Sequence, residues 1–166
     1  MDNQMAKVLL EMIRRNSGDQ KRIEHSLKVF GYAQLLGRLE RLDSRQQLIL
    51  ELTAILHDIG IRVSENKYGY SDGHLQEVEG PAVAREILEE LDYDSGIIDR
   101  VCFVISKHHT FTAIDDIDFQ LLVEADFLVN SVEEEVSPEG VQKFVELHFK
   151  SESGRKVIWE LFGLKG

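Results

Sequence analysis

The chain has 166 residues, about one domain by length, and its 43% hydrophobic and 30% charged residues are the balance of a globular protein able to bury a full core. Nineteen basic against thirty acidic residues give a net charge of −11, which argues against polymeric nucleic acid as a partner because that needs a positive footprint. No apolar run approaches the ~20 residues of a membrane span, and the first residues lack a hydrophobic signal region, so a cytoplasmic protein without a membrane partner is expected.

Residues Ala6 to Arg15 read as an amphipathic helix closed by Asn16-Ser-Gly18, with two arginines in its last turn. Asp19 is the expected N-cap of a second helix running to about Leu42, in which His25, Val29, Tyr32 and Leu36 share one face. Ser44-Arg-Gln-Gln47 has the capping-box spacing and opens a third helix. There Leu48, Leu52, Ile55 and Ile59 form one apolar stripe, and Ile49, Leu52 and Leu56 form a second beside it. Such a helix is buried over most of its girth, and it ends in His57-Asp58 before Gly60 releases the chain.

From Ile59 to Val78 the periodicity fails, and the glycines at 60, 69 and 73 suggest a long irregular loop, the kind that often carries function. Gly80-Pro81 is expected to begin a fourth helix with Val83, Ile87 and Leu91 on its buried stripe. The fifth, roughly Ser95 to His109, carries two stripes, each ending in a histidine: Ile97-Val101-Val104-His108 and Ile98-Cys102-Ile105-His109. The lone cysteine, Cys102, reads as a small buried hydrophobe. Asp118 to Asn130 reads as a sixth helix whose apolar face is Phe119, Leu122, Asp126 and Val129, a carboxylate standing where the pattern calls for leucine. Glu133-Glu-Glu135 reads as a solvated turn. Ser137-Pro138 opens a seventh helix to about Phe149, and a short helix from Gly154 to Leu161 docks Trp159 and Phe162 on the core. No segment of strand period appears, so the expected fold is all-α in one domain, residues 1–166, with the motifs in about 21–132 and C-terminal helices (137–162) packed on them.

Four of the six histidines, His25, His57, His108 and His109, fall on or at the end of an apolar helical stripe, as Asp126 does, and Asp58 joins them by adjacency. A lone histidine on such a face is most often a hydrogen-bonded core residue, and His148 is read as structural or exposed. Imidazoles and carboxylates projecting inward together from four helices are what a metal centre in a helical bundle requires. Nitrogen and oxygen donors without thiolates suit iron, manganese, cobalt or nickel rather than zinc or magnesium.

These residues resemble the HD-domain superfamily of metal-dependent phosphohydrolases. The ordered pattern is a histidine (His25 in Ile-Glu-His-Ser-Leu), a His-Asp doublet (His57-Asp58 in Ile-Leu-His-Asp-Ile-Gly) and a distant aspartate (Asp126 in Glu-Ala-Asp-Phe-Leu), spanning about Lys21 to Val132. The resemblance implies one or two divalent ions, the first held by His25, His57, Asp58 and Asp126. Asp58 would bridge to a second held by His109, His108 and either His74 or Glu79. Ile61 departs from the lysine many relatives carry after His-Asp-Ile-Gly, and no Gly-Tyr-Pro signature supports a cyclic-dinucleotide phosphodiesterase.

The implied activity is hydrolysis of a phosphate ester of a small, nucleotide-like molecule by a metal-activated water, with His57 and Asp58 at the reacting centre. Arg62, Lys67 and Lys107 stand near enough in sequence to orient a phosphate, and Tyr68 and Tyr70 offer surfaces for stacking a base. Two alternatives share the ligand set: a di-iron oxygenase of related helical fold, and a regulatory module that binds metal without turnover. No feature of the sequence indicates a homo-oligomer.

Overall fold

Seven helices of this chain are started by short polar side chains. In the computed structural model, which describes residues 3–164, the side chains of Asp19, Asp43, Asp72, Asp94, Asp116, Ser137 and Ser151 each stand just ahead of a helix and accept a backbone N–H of its first turn. This satisfies donors that have no partner inside the helix and, for the aspartates, sets negative charge against the positive end of the helix dipole. The two residues at each end of the expected 1–166 domain lie outside the described residues.

The elements are α1 (Asn3–Arg15), α2 (Gln20–Leu39), α3 (Ser44–Leu56), α4 (Ile61–Tyr68), α5 (Gly73–Glu90), α6 (Ser95–Ile105), a 3-10 turn (Phe111–Ala113), α7 (Ile117–Glu133), α8 (Pro138–His148) and α9 (Glu152–Phe162). No strand occurs among the described residues, and the fold is all-α, as the periodicity predicts. The doubly striped α3 is the centre: every residue from Ile49 to Leu56 is buried, and α1, α2, α6 and α7 pack around it. A fully buried leucine such as Leu52 contributes ~1.5–3 kcal/mol over its exposed state. The α5 helix packs on α6 and α4, and α9 packs on α7 and α2, with Trp159 and Phe162 half-buried against the core.

The stretch from 59 to 78 is not an irregular loop. It forms α4, eight residues with Ser64 as the only buried one, and the first turn and a half of α5. Ser64 Oγ donates to Gly60 O at 3.0 Å, and Gly69 ends α4 in the left-handed conformation at φ +82°. Pro81 does not begin a helix either; it lies in the middle of α5. The glycines beside it serve close approach. A Cβ on Gly60 would lie 2.5 Å from Gly80 N, so the α3–α4 junction and α5 touch backbone to backbone.

Smaller corrections have local causes. Asp43, not Ser44, caps α3, accepting from Gln46 N at 2.8 Å, while Gln47 turns inward to donate to Glu51 at 2.8 Å. The α6 helix stops at Ile105, so His108 and His109 stand in the turn beyond it. The last two helices are tied to the core by Glu124. Fully buried on α7, it accepts from Gln120 Nε2 at 2.7 Å, Lys150 N at 2.8 Å, Ser151 N at 3.0 Å and the Ser151 hydroxyl.

Candidate metal centre

Two of the helices deliver a histidine by the same local device. The last carbonyls of a helix have no intrahelical N–H partner, and at the end of α3 the His57 imidazole supplies one, Nδ1 lying 2.9 Å from Ala54 O. At the end of α6, His108 Nδ1 lies 2.7 Å from Ile105 O, again three residues back. A carbonyl only accepts, so Nδ1 carries a proton in both rings and Nε2 is the atom that offers a lone pair when the ring is neutral. On α2, His25 is fixed the same way by a carboxylate: Nδ1 lies 2.9 Å from Glu133 Oε2, and Glu133 in turn accepts from Lys28 Nζ at 3.0 Å.

The Nε2 atoms of His25 and His57 meet the carboxylates of Asp58 and Asp126. His25 Nε2 stands 3.3 Å from His57 Nε2, 3.1 Å from Asp126 Oδ1 and 3.6 Å from Asp58 Oδ2. His57 Nε2 is 3.5 Å from each of those two oxygens. Donors bound ~2.1 Å from one ion stand ~3.0–3.4 Å apart around an octahedron or tetrahedron. His25, His57 and Asp58 form one donor group of that kind, with Asp126 Oδ1 beside both imidazoles.

The other oxygen of Asp58 faces a second group. His108 Nε2 is 3.8 Å from Asp58 Oδ1, is buried, and has no hydrogen-bond partner. An orphaned imidazole nitrogen costs free energy that a cation would recover. Asp58, His108 and His109 offer donor atoms that all lie within 4.8 Å of one another.

The electrostatics agree with cation binding. Burial pulls the His57 imidazole down, but the charge of Asp58 and the hydrogen bond of Asp126 outweigh it and lift its pKa to about 9. Burial raises Asp58, yet the charge of His57 and the nearby His108 imidazole hold it at about 2. Asp126 is likewise held below the carboxylate range, against its burial, by hydrogen bonds from His25 and His57. His25 lies above its ordinary value: burial opposes the shift and the Asp126 hydrogen bond produces it. These groups thus draw protons into the space between them, where a divalent ion would offer more charge. The imidazoles of His25 and His57, two ionised carboxylates and the unpartnered Nε2 of His108 are donors of the kind such an ion takes.

The remaining residues singled out in the sequence are not members of these donor groups. His74 is exposed and Glu79 is buried, and neither belongs to a donor group among the described residues. Glu79 accepts from Lys67 Nζ at 2.6 Å and from the Tyr68 hydroxyl at 2.8 Å, latching α4 to α5. Arg62 donates to Ser17 O at 3.0 Å. Lys107 and Tyr70 are exposed. His148 is half-buried between the rings of Phe111 and Phe144, at 4.8 and 4.6 Å.

Glu133 corrects the reading of 133–135 as a solvated turn. It lies seven residues after Asp126, two turns along the same face of α7, a spacing that could have revealed it. Gln76 and Glu77 on α5 also meet the site, through His109, and no pattern in the sequence marks them.

A crystal structure of a predicted HD superfamily hydrolase from an uncultured Thermotogales bacterium has the same fold. Its TM-score is 0.66 at 20% identity, covering 96% of this chain and 84% of that one. No curated protein matches the chain. The HD domain family model matches residues 22–141, a span that holds His25, His57, Asp58, His108, His109 and Asp126, and the chain belongs to that family.

Proposed function

We propose that this protein is a metal-dependent phosphohydrolase that cleaves a phosphate ester of a small, nucleotide-like substrate. The observation that carries this reading is the placement of Asp58, whose Oδ2 faces His25 and His57 while its Oδ1 faces His108. A carboxylate so placed can serve two cations at once, one with His25, His57 and Asp126 and one with His108 and His109. Bound there, divalent iron, manganese, cobalt or nickel supplies Lewis acidity to a phosphoryl oxygen and lowers the pKa of a water towards ~7.

The chain's own residues do the rest. Ala54 O, Ile105 O and Glu133 fix the ring orientations, so the site is organised before anything binds. Asp58, ionised over the whole physiological range, holds the site's negative charge and orients the hydrogen of an attacking water. Lys107, next to His108 in the chain and exposed, takes a phosphate oxygen, and Tyr70, also exposed, offers a ring for the base. In this reading Arg62, Lys67 and Tyr68 reach substrate only by leaving Ser17 O and Glu79, so they rank behind Lys107 and Tyr70.

The test is anaerobic turnover of a panel of nucleotides and phosphate esters by Mn²⁺-loaded protein. Release of phosphate or a nucleoside product, abolished in His57→Ala and Asp58→Ala, is the expected result. Oxygen consumption with an organic co-substrate and no phosphate release would identify an oxygenase instead. Metal binding without either activity would identify a regulatory module.

A further inference from the structure

His108 and His109 lie in a turn beyond the end of α6, where Ile105 O holds the His108 ring through Nδ1. The His109–Thr110 part of that turn is held by the first part of α5. Glu77 Oε1 accepts from His109 N at 3.0 Å and from Thr110 Oγ1 at 2.9 Å, and Oε2 lies 3.2 Å from the same hydroxyl. Gln76 Oε1 lies 2.6 Å from His109 Nε2. Gly73 packs on the same ring, where a Cβ would stand 3.0 Å from it.

These contacts fix the turn and also choose the His109 tautomer. An amide oxygen only accepts, so His109 Nε2 carries the proton and Nδ1 keeps the lone pair. That is the reverse of His25, His57 and His108, whose Nδ1 atoms are the occupied ones. The Asp58–His108–His109 group also takes both of its histidines from a turn, and His108 Nε2 stands 3.8 Å from Asp58 Oδ1, against 3.1 to 3.6 Å for the contacts of the His25 and His57 Nε2 atoms. A donor group on a non-helical turn depends on whatever pins the turn.

We propose that Glu77 is a positioning residue for the second cation site, holding the His109–Thr110 turn so that Asp58, His108 and His109 close on one ion. This rests on the two-site reading above. It assigns the second ion a dependence on α5 that the first ion lacks, since the hydrogen bonds of Glu77 go to His109 and Thr110.

The experiment is calorimetric titration of metal-free wild type, Glu77→Ala, Glu77→Gln and Thr110→Val with Mn²⁺, with bound ions counted by elemental analysis and coupled Mn pairs detected by electron paramagnetic resonance. Wild type should take up two ions and show the coupled signal. Glu77→Ala should bind the first ion within about 2-fold of wild type and the second ~10–100-fold more weakly, the range that loss of an outer hydrogen-bond partner produces. Glu77→Gln keeps one acceptor oxygen and should retain the second ion within a few-fold, with Thr110→Val in between. Equal binding of both ions by Glu77→Ala and wild type, or equal loss of both, would overturn the role given to Glu77. If Glu77→Ala does not fold, Thr110→Val decides: unchanged second-ion affinity overturns the proposal. A wild type that binds a single ion, lost in Asp126→Ala, would instead overturn the two-site reading beneath it.

Discussion

Raising the pH should weaken the metal-free protein and strengthen its hold on a metal ion, and both effects trace to His57. Asp58 and Asp126, overcoming burial, hold that imidazole at about 9 against 6.5 in a free chain. A pKa raised on folding contributes stability that is complete below pH 6.5 and is lost as the pH climbs through about 9. At 1.36 kcal/mol per unit the difference is about 3 kcal/mol, or roughly 6–12 °C in Tm for a domain of this size. Asp58 works in the opposite sense: held at about 2 against 3.8, it contributes stability present above pH 3.8 and lost as the pH falls through about 2. A metal ion needs the neutral imidazole and so must displace its proton, which makes the apparent affinity rise ~10-fold per pH unit between about 6.5 and 9. Scanning calorimetry of metal-free protein at about pH 6 and 8.5, with and without Mn²⁺ under nitrogen, reads both effects. The metal-free Tm should fall with pH while the gain from metal grows. A metal-free Tm that rises over this interval, or a gain from metal that shrinks, would refute the reasoning.

Glu133→Ala should weaken binding of the first ion by ~10–100-fold with little change in far-UV circular dichroism, because it frees the His25 ring without removing a donor atom; calorimetric titration with Mn²⁺ checks this, and unchanged affinity would contradict it. Glu124→Ala should destabilise the fold by ~3–5 kcal/mol in urea unfolding, since it orphans Lys150 N and Ser151 N and leaves Gln120 Nε2 with His148 O as its acceptor. A loss under ~1 kcal/mol would mean that water replaces the carboxylate. Gly60→Ala should cost ~2 kcal/mol or more in the same assay, because its methyl meets the α5 backbone, which has no rotamer to move away.

The parts of the site legible in the sequence are those that break a helical pattern. His25 and Asp126 occupy positions where the stripes of α2 and α7 call for apolar residues, and His57-Asp58 ends the doubly striped, buried α3. The all-α fold follows from the same periodicity. What stayed hidden depends on backbone atoms or on short polar elements. The α4 helix buries a single serine, so it has no stripe to read, and Pro81 sits mid-helix where local preference would start one. The carbonyls of Ala54 and Ile105 that orient two histidines have no sequence signature at all. Glu133 was masked by the acidic run around it, and Glu77 acts on a turn that the pattern extends as helix, since the stripes of α6 continue in register through His108 and His109.

The central claim is that His25, His57, Asp58 and Asp126 close on a cation, and the metal content of the purified protein tests it most directly. Elemental analysis of wild type and of His57→Ala, Asp58→Ala and Asp126→Leu, each shown to be folded by circular dichroism, should find a transition metal at one ion or more per wild-type chain. The ion of the His25–His57–Asp126 group should be lost from every variant. Folded wild-type protein that carries no metal and takes up neither Mn²⁺ nor Fe²⁺ when dialysed against them would contradict the account.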